Sequence, residues 1–284
     1  MDRLQLPRPD ELRGGRNRAL KEKNRALSIP LSTIILASVL IVIVGVASFA
    51  ANNAVNAQLE ETQFEQAKNV MLAIDGIVKK VLFVRQSSGY VKSSFWKTTP
   101  QFIRTGENLT LIIDAGTENW TYQIPINVIK VKGGPHVGVT VSKNIIGNDS
   151  LLLTDTSSSI GRVSIYQSDG AWVSLDYSRV RCVYTGIWEY FNGSDYESFN
   201  VVEITMINLT FGTVETGTQV FIMIRNLGVN SESITDISGN FEVKVVSPEG
   251  EEAKSLEELG GDPSKRTIIN LVFVNVEVSV MRSG

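Results

Sequence analysis

The stretch RALSIPLSTIILASVLIVIVG, residues 25–45, decides how the rest of this chain is interpreted. No Asp, Glu, Lys or Arg occurs from Ala26 to Leu59. The most apolar part, Leu31–Ala51, has 21 residues, and as an α-helix it measures about 31 Å, which matches the hydrocarbon thickness of a bilayer. The sequence therefore predicts a transmembrane helix, with Pro30 in its first turn, where a missing N–H costs nothing.

The charges on the two sides of this stretch are unequal. Residues 1–26 carry eight Lys and Arg against four Asp and Glu, a net charge of +4; the whole chain carries −3, so residues 27–284 carry −7. Basic residues before the apolar run place the N-terminus in the cytoplasm and the bulk of the chain outside. A negative body behind a short basic head does not suit nucleic-acid binding, which needs a basic face on the folded part.

A secretory signal that is removed is the alternative interpretation. Ser48-Phe49-Ala50 would then be the small-residue cleavage site, and the remaining chain would begin at Ala51. Such signals have an apolar region of about 7–15 residues, and the apolar run in this chain is longer. We therefore expect the apolar segment to be retained.

The helical periodicity continues beyond the apolar run. Apolar residues recur at spacings of three and four, and charged residues occupy the other faces. We expect one helix of 55 residues, Leu31–Arg85, interrupted by Gly76 and ended by the QSSG at 86–89. The recurring apolar residues form a stripe along one face of the helix. Packing of this face on the chain's own β-rich domain would explain the stripe without a second protein. The stripe consists of Phe64, Ala67, Met71, Ile74, Val78 and Val81.

The N-terminal residues quoted above resemble the start of archaeal type IV pilins and their relatives, which have class III signal peptides. In that family a prepilin peptidase cuts on the cytoplasmic side, between a basic, small-residue site and the apolar helix. The resemblance implies that Arg25 and Ala26 are the recognition pair and that Leu27 becomes the new N-terminus. It also implies that the retained helix first holds the subunit in the membrane. After extraction by an assembly machine, the helix packs with its copies in the core of a filament.

The specific resemblance covers residues 21–51, and the amphipathic helix extends a general likeness to residue 85. Two features depart from the family pattern. The leader of 26 residues is long, and the fifth residue of the processed chain is Leu31. Bacterial type IV pilins carry a glutamate at that place, which archaeal members often lack. The resemblance implies nothing specific about residues 90–284.

Beyond the helix the apolar period changes from 3.6 to 2, which is typical of β-strands. In VFVNVEVSV, residues 272–280, every second residue is Val and faces one way. The runs 171–184 and 201–211 alternate similarly but change phase once, which indicates β-bulges. We expect an extracellular antiparallel β-sandwich over residues 90–284, with an exposed loop at 247–266 that holds a short helix at 251–259.

The predicted fold is thus α+β: a long membrane-spanning and amphipathic N-terminal helix is followed by an extracellular antiparallel β-sandwich. Its parts are a basic cytoplasmic leader at 1–26, a transmembrane helix at 27–51, an amphipathic continuation at 52–86 and a β-rich domain at 90–284. A further division of the β-rich part near 147–161 stays open.

Asn-X-Ser/Thr sequences occur only beyond the membrane segment, which agrees with an outside location. Chance would give about three such sequences from the Asn, Ser and Thr content there, so the excess is small. The five candidate N-glycosylation sites are Asn108, Asn119, Asn148, Asn192 and Asn208.

No motif for catalysis, a metal or a cofactor is found. The single histidine, His136, and the single cysteine, Cys182, are too few for a usual zinc site unless the two meet, and one cysteine excludes an internal disulfide. KVKGGPHVGV at 130–139 lacks the spacing of a phosphate loop, and its Gly133-Gly134-Pro135 predicts a turn between strands. Core packing is the commoner role for tryptophans, with a sugar-binding face as the alternative. These tryptophans are Trp96, Trp120, Trp172 and Trp188.

We therefore expect a pilin-like cell-surface protein, a subunit of a type IV-pilus-related filament used in adhesion. Its expected partners are the membrane, copies of itself through the N-terminal helix, and the prepilin peptidase with the pilus assembly machinery. We expect no enzymatic activity, cofactor or nucleic-acid partner. The alternative is a single-pass membrane-anchored extracellular domain for binding or sensing that does not polymerise. The two differ in whether the apolar helix packs against its copies.

Overall fold

The fold is described by a computed structural model of the chain. It covers residues 9–94, 100–116, 118–191, 193–215, 217 and 219–282, with the backbone alone at 9–30. The chain divides into two units, Met1–Gln58 and Leu59–Gly284. The described part of the first unit is helical, and the second combines the end of that helix with a largely β structure. The prediction of a long apolar N-terminal helix followed by a β-rich domain is confirmed.

Helix α1, Pro9–Val81, has 73 residues. A proline suits its first turn, because the first N–H groups of a helix have no partner within it. The helix starts well before the predicted Leu31 and ends four residues before the predicted Arg85. Pro30 therefore lies inside the helix and not in its first turn, and the hydrogen bond that its missing N–H would have donated is absent there.

The strands of the second unit form two curled sheets. The six-stranded sheet has the order β1-β10-β13-β9-β8-β5, and the seven-stranded sheet has the order β12-β11-β2-β3-β7-β6-β4. The strands are β1 (Ser88–Ser94), β2 (Gln101–Asp114), β3 (Asn119–Lys132), β4 (Lys143–Ile146), β5 (Leu152–Leu153), β6 (Arg162–Gln167), β7 (Ala171–Asp176), β8 (Val180–Phe191), β9 (Tyr196–Val214), β10 (Gln219–Ile237), β11 (Glu242–Ser247), β12 (Gly250–Ser255) and β13 (Arg266–Arg282).

Most neighbouring strands are antiparallel, as predicted, but two pairs are parallel. Strand β13 runs parallel to β9 over most of its length, and β5 runs parallel to β8 at two residues. The pair β13–β9 lies in the middle of the six-stranded sheet. Alternation along a strand has the same period in both arrangements, so the sequence pattern does not distinguish them.

The amphipathic half of α1 packs into the first of two hydrophobic clusters. Its buried side chains lie among residues of β3, β6 and β7 from one sheet and of β9, β10 and β13 from the other. All six residues of the predicted stripe are buried, so the face predicted from the spacing is the one that packs. Eight residues of α1 and the turn after it belong to this cluster: Phe64, Ala67, Val70, Met71, Ile74, Val78, Val81 and Leu82.

The second cluster is formed by both sheets without α1, and several strands contribute to both clusters. Successive side chains of a strand point to opposite faces. In β9, Met206 belongs to the second cluster and Ile207 to the first, and the pairing with β13 continues there without a shift. The phase change in 201–211 is therefore a change of buried face, and the predicted bulge there is wrong.

The phase change in 171–184 has another cause. Strands β7 and β8 belong to different sheets, and residues 177–179 connect them. A register shift does occur in β8, between Tyr184 and Gly186, but it lies after the phase change. The sequence pattern marked the place where the chain crosses from one sheet to the other.

The region 247–266 is more regular than a loop. Strands β11 and β12 form a hairpin that pairs Ser247 with Gly250. Helix α2, Leu256–Leu259, follows, and Ser255 and Glu258 form a capping box at its start. The predicted helix at 251–259 is present only from Leu256, because residues 251–255 belong to strand β12.

Candidate functional site

The apolar segment of α1 is the first candidate functional surface. Among the described residues, one helix is long and apolar enough to cross a membrane, and its most apolar window has no residue buried within the chain. The exposed fractions of its large apolar side chains run from 49% at Val39 to 72% at Ile41. An exposed apolar surface of this extent needs lipid or protein around it.

Two small residues, Ser38 and Gly45, make the apolar segment compatible with lipid or with a neighbouring helix around it. The hydroxyl of Ser38 donates to the carbonyl of Ile34 one turn earlier, so it needs no outside partner. A Cβ atom added at Gly45 would meet no atom of the chain within 4 Å. The Ser38 hydroxyl is therefore satisfied within the helix. At Gly45 the surface leaves room for the close approach of another helix.

Glu60 is the first charged residue after the apolar run, and it lies buried in the second unit. Its carboxylate accepts a hydrogen bond of 2.9 Å from the backbone N–H of His136 and lies 2.9 Å from Nδ1 of the same residue. A side chain at Gly134 would collide with this carboxylate. The predicted turn is present, since the N–H of Val137 donates to the carbonyl of Gly134. These contacts fix α1 to the β structure where the charged part of the helix begins.

At its other end α1 is held by Asn226 of β10, which is fully buried. Its Nδ2 donates to the carbonyls of Val81 at 2.7 Å and Leu82 at 2.9 Å. The last carbonyls of a helix lack partners within the helix, and leaving them unpaired in a core is costly. Asn226 satisfies two such groups. Sequence reasoning missed it, because an asparagine within a strand carries no local signal of a distant partner.

A buried carboxylate, Asp75, lies between these two ends of the packed helix. It accepts from the hydroxyl of Tyr177 at 3.2 Å and pairs with Lys79 at 2.7 Å. Burial raises the pKa of Tyr177 well above its usual value, and the charge of Asp75 raises it further. A side chain at Gly161 would collide with this carboxylate. Each group has a partner, so the cluster joins α1 to the residues after β7.

The predicted glycosylation sites differ in accessibility. Asn108, Asn119 and Asn148 are exposed, and Asn192 lies outside the described residues. Asn208 is half-buried in β9, and its Nδ2 donates to an asparagine side chain of β13 at 2.8 Å. Attachment of a glycan replaces one hydrogen of Nδ2, so Asn208, half-buried in the sheet, is the least accessible of the described sites. Asn119 is exposed, but its Nδ2 is placed to donate to Asp114 at 2.8 Å. Use of any of these sites stays a prediction.

The predicted processing residues Arg25, Ala26 and Leu27 lie in the part of α1 for which the backbone alone is described, and that backbone is helical. Cleavage there stays a prediction.

His136 and Cys182 do not meet, because the cysteine is buried in the second cluster and the histidine contacts Glu60. Burial raises the pKa of the Cys182 thiol to about 12, which keeps it protonated.

The hairpin of β8 and β9 presents an exposed aromatic surface. Trp188, Tyr190 and Phe191 are each 51% exposed, and Tyr196 is 74% exposed. The ring centroid of Trp188 lies 5.8 Å from that of Tyr190. A groove of about 470 Å³ lies beside them, lined by Thr185, Gly186, Ile187, Trp188, Val201, Ile268 and Asn270. Exposed aromatic side chains are enriched at protein interfaces, so the hairpin is a second candidate surface.

The four tryptophans do not share one face. Trp120 packs against the second cluster, Trp172 lies on β7 of the seven-stranded sheet, and Trp188 lies on β8 of the other sheet. Trp96 lies outside the described residues. Core packing therefore explains Trp120, whereas Trp188 belongs to the exposed hairpin.

No protein-family model, curated protein or solved structure matches this chain. Among the described residues, no group of three or more His, Cys, Asp or Glu side chains is placed to hold a metal ion. The function is therefore argued from the surfaces of the chain itself.

Proposed function

We propose that this chain is a pilin-like subunit of a type IV-pilus-related surface filament that serves in adhesion. In this proposal the N-terminus is cytoplasmic, α1 spans the cell membrane before assembly, and the β structure is an extracellular sandwich. Processing by a prepilin peptidase after Ala26 belongs to the same proposal.

The apolar segment of α1 carries the proposal. Its large side chains are exposed on every face, which suits either lipid or a bundle of identical helices. A subunit that moves from membrane to filament needs both environments for one surface. The uncharged run from Ala26 to Leu59 fits this use over its whole length.

The packing of the second half of α1 supports the proposal further. A lone anchor needs a transmembrane segment and a link to its domain. In this chain the helix continues to Val81 and contributes to the core of the second unit. Its residue Glu60 accepts a hydrogen bond from His136, and its last carbonyl accepts one from Asn226. Such bonding suits a helix that carries load between the subunits of a filament.

The second candidate function is a membrane-anchored binding or sensing domain that does not polymerise. The exposed aromatic side chains of the β8–β9 hairpin favour it, because they offer a recognition surface on the β structure. Both candidates place the domain outside the cell, so location does not separate them.

Replacement of Gly45 by Leu separates the two functions. A side chain at Gly45 starts in open space, so the change alters no contact within the chain. Lipid accepts the larger apolar residue, whereas overpacking between helices costs about 1–3 kcal/mol at each subunit. We expect sheared surface material from wild-type cells to contain this protein in high-mass particles, and material from Gly45→Leu cells to lack them, with equal protein in the membrane.

Gly76→Ala is the matched control, because Gly76 also lies in α1 with nothing within 4 Å of an added Cβ. It raises helix propensity by about 1 kcal/mol outside the apolar segment and should leave assembly unchanged. Native protein should also begin at Leu27 by intact mass. If wild-type cells that have the assembly machinery yield only detergent-soluble monomer, or if Gly45→Leu cells assemble normally, the filament proposal fails and the anchored domain replaces it.

A further inference from the structure

The end of the β8–β9 hairpin extends beyond the six-stranded sheet. Strand β13 first meets β9 at Phe199, which pairs with Arg266, and β5 pairs with β8 only at the start of that strand. In the described part of the chain, residues 189–191 and 196–198 therefore pair only with each other. We call residues 187–199, at this end of the hairpin, the ribbon.

Apolar side chains project from both faces of the ribbon. Trp188 and Tyr190 lie on one face, and Ile187 and Phe191 lie on the other, because successive residues of a strand alternate. Tyr196 is paired with Phe191 and shares its face. The exposed fractions of these five side chains run from 48% to 74%. Neither face of the ribbon is therefore covered by the chain, and contact with another molecule would remove this apolar area from water.

The ribbon is also acidic. It carries Glu189, Asp195 and Glu197, and no Lys or Arg occurs within it. Arg266 approaches from β13 and pairs with Glu197, but it pairs with Asp236 as well. Because Arg266 is shared between two carboxylates, the ribbon and its surroundings keep an excess of negative charge.

The other end of the same sheet has an apolar and basic face. Tyr90 of β1 pairs with Met223 of β10, Lys92 pairs with Phe221, and Phe221 pairs with Met281 of β13. Directly paired residues lie on the same face of a sheet. Helix α1 packs on the opposite face, where the alternate residues of β10 belong to the first cluster. We call this surface the basic face, and it consists of Tyr90, Lys92, Phe221, Met223, Arg225 and Met281.

The basic face is open to solvent. Tyr90 is 69% exposed and Met281 is 41% exposed. Lys92 and Arg225 are exposed, and Nζ of Lys92 lies 5.7 Å from the ring centroid of Phe221. One carboxylate, Glu277, is paired with Arg225 across the strands and is half-buried. With two cations against one carboxylate, this face is positive, whereas the ribbon is negative.

The two surfaces lie far apart on one chain. The ribbon adjoins Arg266 at the start of β13, and the basic face includes Met281, which is 15 residues further along. This separation is about 50 Å along the strand. They also lie at opposite edges of the sheet, since β8 is near one edge and β1 forms the other. The ribbon therefore cannot contact the basic face of its own chain. A contact between two different surfaces of two copies is heterologous, and its repetition builds an open array.

We propose that the ribbon of one subunit docks on the basic face of the next subunit in the filament, an inference that rests on the proposed function. The aromatic side chains of the ribbon pack against Tyr90, Met223 and Met281, and its carboxylates pair with Lys92 and Arg225. Contact between two ribbons is disfavoured, because it would bring their carboxylates together.

One such contact is weak by itself, since exposed ion pairs contribute little. Packing of the N-terminal helices holds neighbouring subunits together and raises the effective concentration of the two surfaces for each other. The contact should therefore form in the filament and be absent from a dilute domain that lacks the apolar segment.

Zero-length cross-linking with a carbodiimide tests the contact in sheared surface particles. Lys92 is the one lysine of the basic face, and the ribbon supplies the carboxylates. We expect mass spectrometry to find an amide bond between Lys92 and Glu189, Asp195 or Glu197. The separation of the two surfaces excludes this bond within one chain, so detergent-extracted monomer should lack it. Lys92→Arg is the matched variant, because it keeps the positive charge and removes the reactive amine. It should lose the cross-link and keep the particles.

Charge reversal tests whether the contact supports assembly. Lys92→Glu combined with Arg225→Glu should lower the yield of high-mass particles at least about fivefold, because attraction becomes repulsion at every contact. Glu107→Lys is the control, since Glu107 is exposed on β2 of the other sheet, and it should leave the yield unchanged.

Wild-type particles without the cross-link, a cross-link of Lys92 to a different protein, or equal yields from the reversed and control variants would each overturn this inference. These outcomes leave the filament proposal standing, because the particles themselves are present. Wild-type cells without particles would overturn both.

Discussion

Replacing Asn226 by Ala tests whether the end of α1 is part of the core of the β structure. Nδ2 of Asn226 is a hydrogen-bond partner of the carbonyls of Val81 and Leu82. The carbonyl of Val81 keeps two other partners, the N–H of Val84 and the hydroxyl of Ser87, each at 3.2 Å, so the larger cost falls on Leu82. Both residues of the helix end are buried, and water does not easily replace the lost donor.

The expected cost follows from these contacts. Each lost hydrogen bond contributes about 0.5–1.5 kcal/mol net, and an unpaired buried carbonyl costs about 1–3 kcal/mol. The change also removes Oδ1 of Asn226, a buried atom without a hydrogen-bond partner, which offsets part of the loss. We expect the free energy of unfolding to fall by about 2–3 kcal/mol.

The assay is equilibrium urea unfolding of the segment 59–284, followed by circular dichroism and tryptophan fluorescence. This segment contains both hydrophobic clusters whole. Asn270→Ala is the control, because its side chain accepts from Ser233 at 2.8 Å in an exposed place on the neighbouring strand β13. The control should change stability by less than about 0.5 kcal/mol. Equal effects of the two changes would refute the role assigned to Asn226.

Three further outcomes follow from the packing. The segment 59–284 should be soluble, β-rich and monomeric by size-exclusion chromatography, whereas 90–284 should aggregate because it lacks the eight buried residues contributed by α1 and the turn after it. Ile74→Ala should lower the free energy of unfolding by about 2–5 kcal/mol, and Val141→Ala, at an exposed side chain, by less than about 0.5 kcal/mol. Maleimide should label Cys182 only after unfolding. Since burial raises the pKa of this thiol from 9.0 to about 12, its contribution to stability should fall as pH rises above about 9.

Local pattern was sufficient for the helix and for the existence of most strands. The spacing from Phe64 to Val81 identified the buried face of α1, because a helix repeats every 3.6 residues whatever it packs against. Alternation in 272–280 likewise identified a strand. The same alternation could not show that β13 pairs in parallel with β9, because pairing depends on residues far apart in the chain.

The candidate sites depended on tertiary structure to different degrees. The apolar segment of α1 is visible in the sequence, because its lack of charge is a local property. The aromatic hairpin was not predicted, since it gathers side chains from two strands. The tryptophans were noticed, but their spacing does not show which of them is exposed.

The sequence by itself determined where the chain is apolar, where it is helical and where it alternates, because composition and periodicity are local. The tertiary structure alone decided where the buried face of a strand changes. In β9 the buried face changes between Met206 and Ile207 because the strand passes from one cluster to the other. It also decided where α1 ends, because the carbonyls at that end are satisfied by Asn226, which is 144 residues from Leu82. A hydrogen bond between such distant residues exists only once the chain has folded, so no local pattern records it.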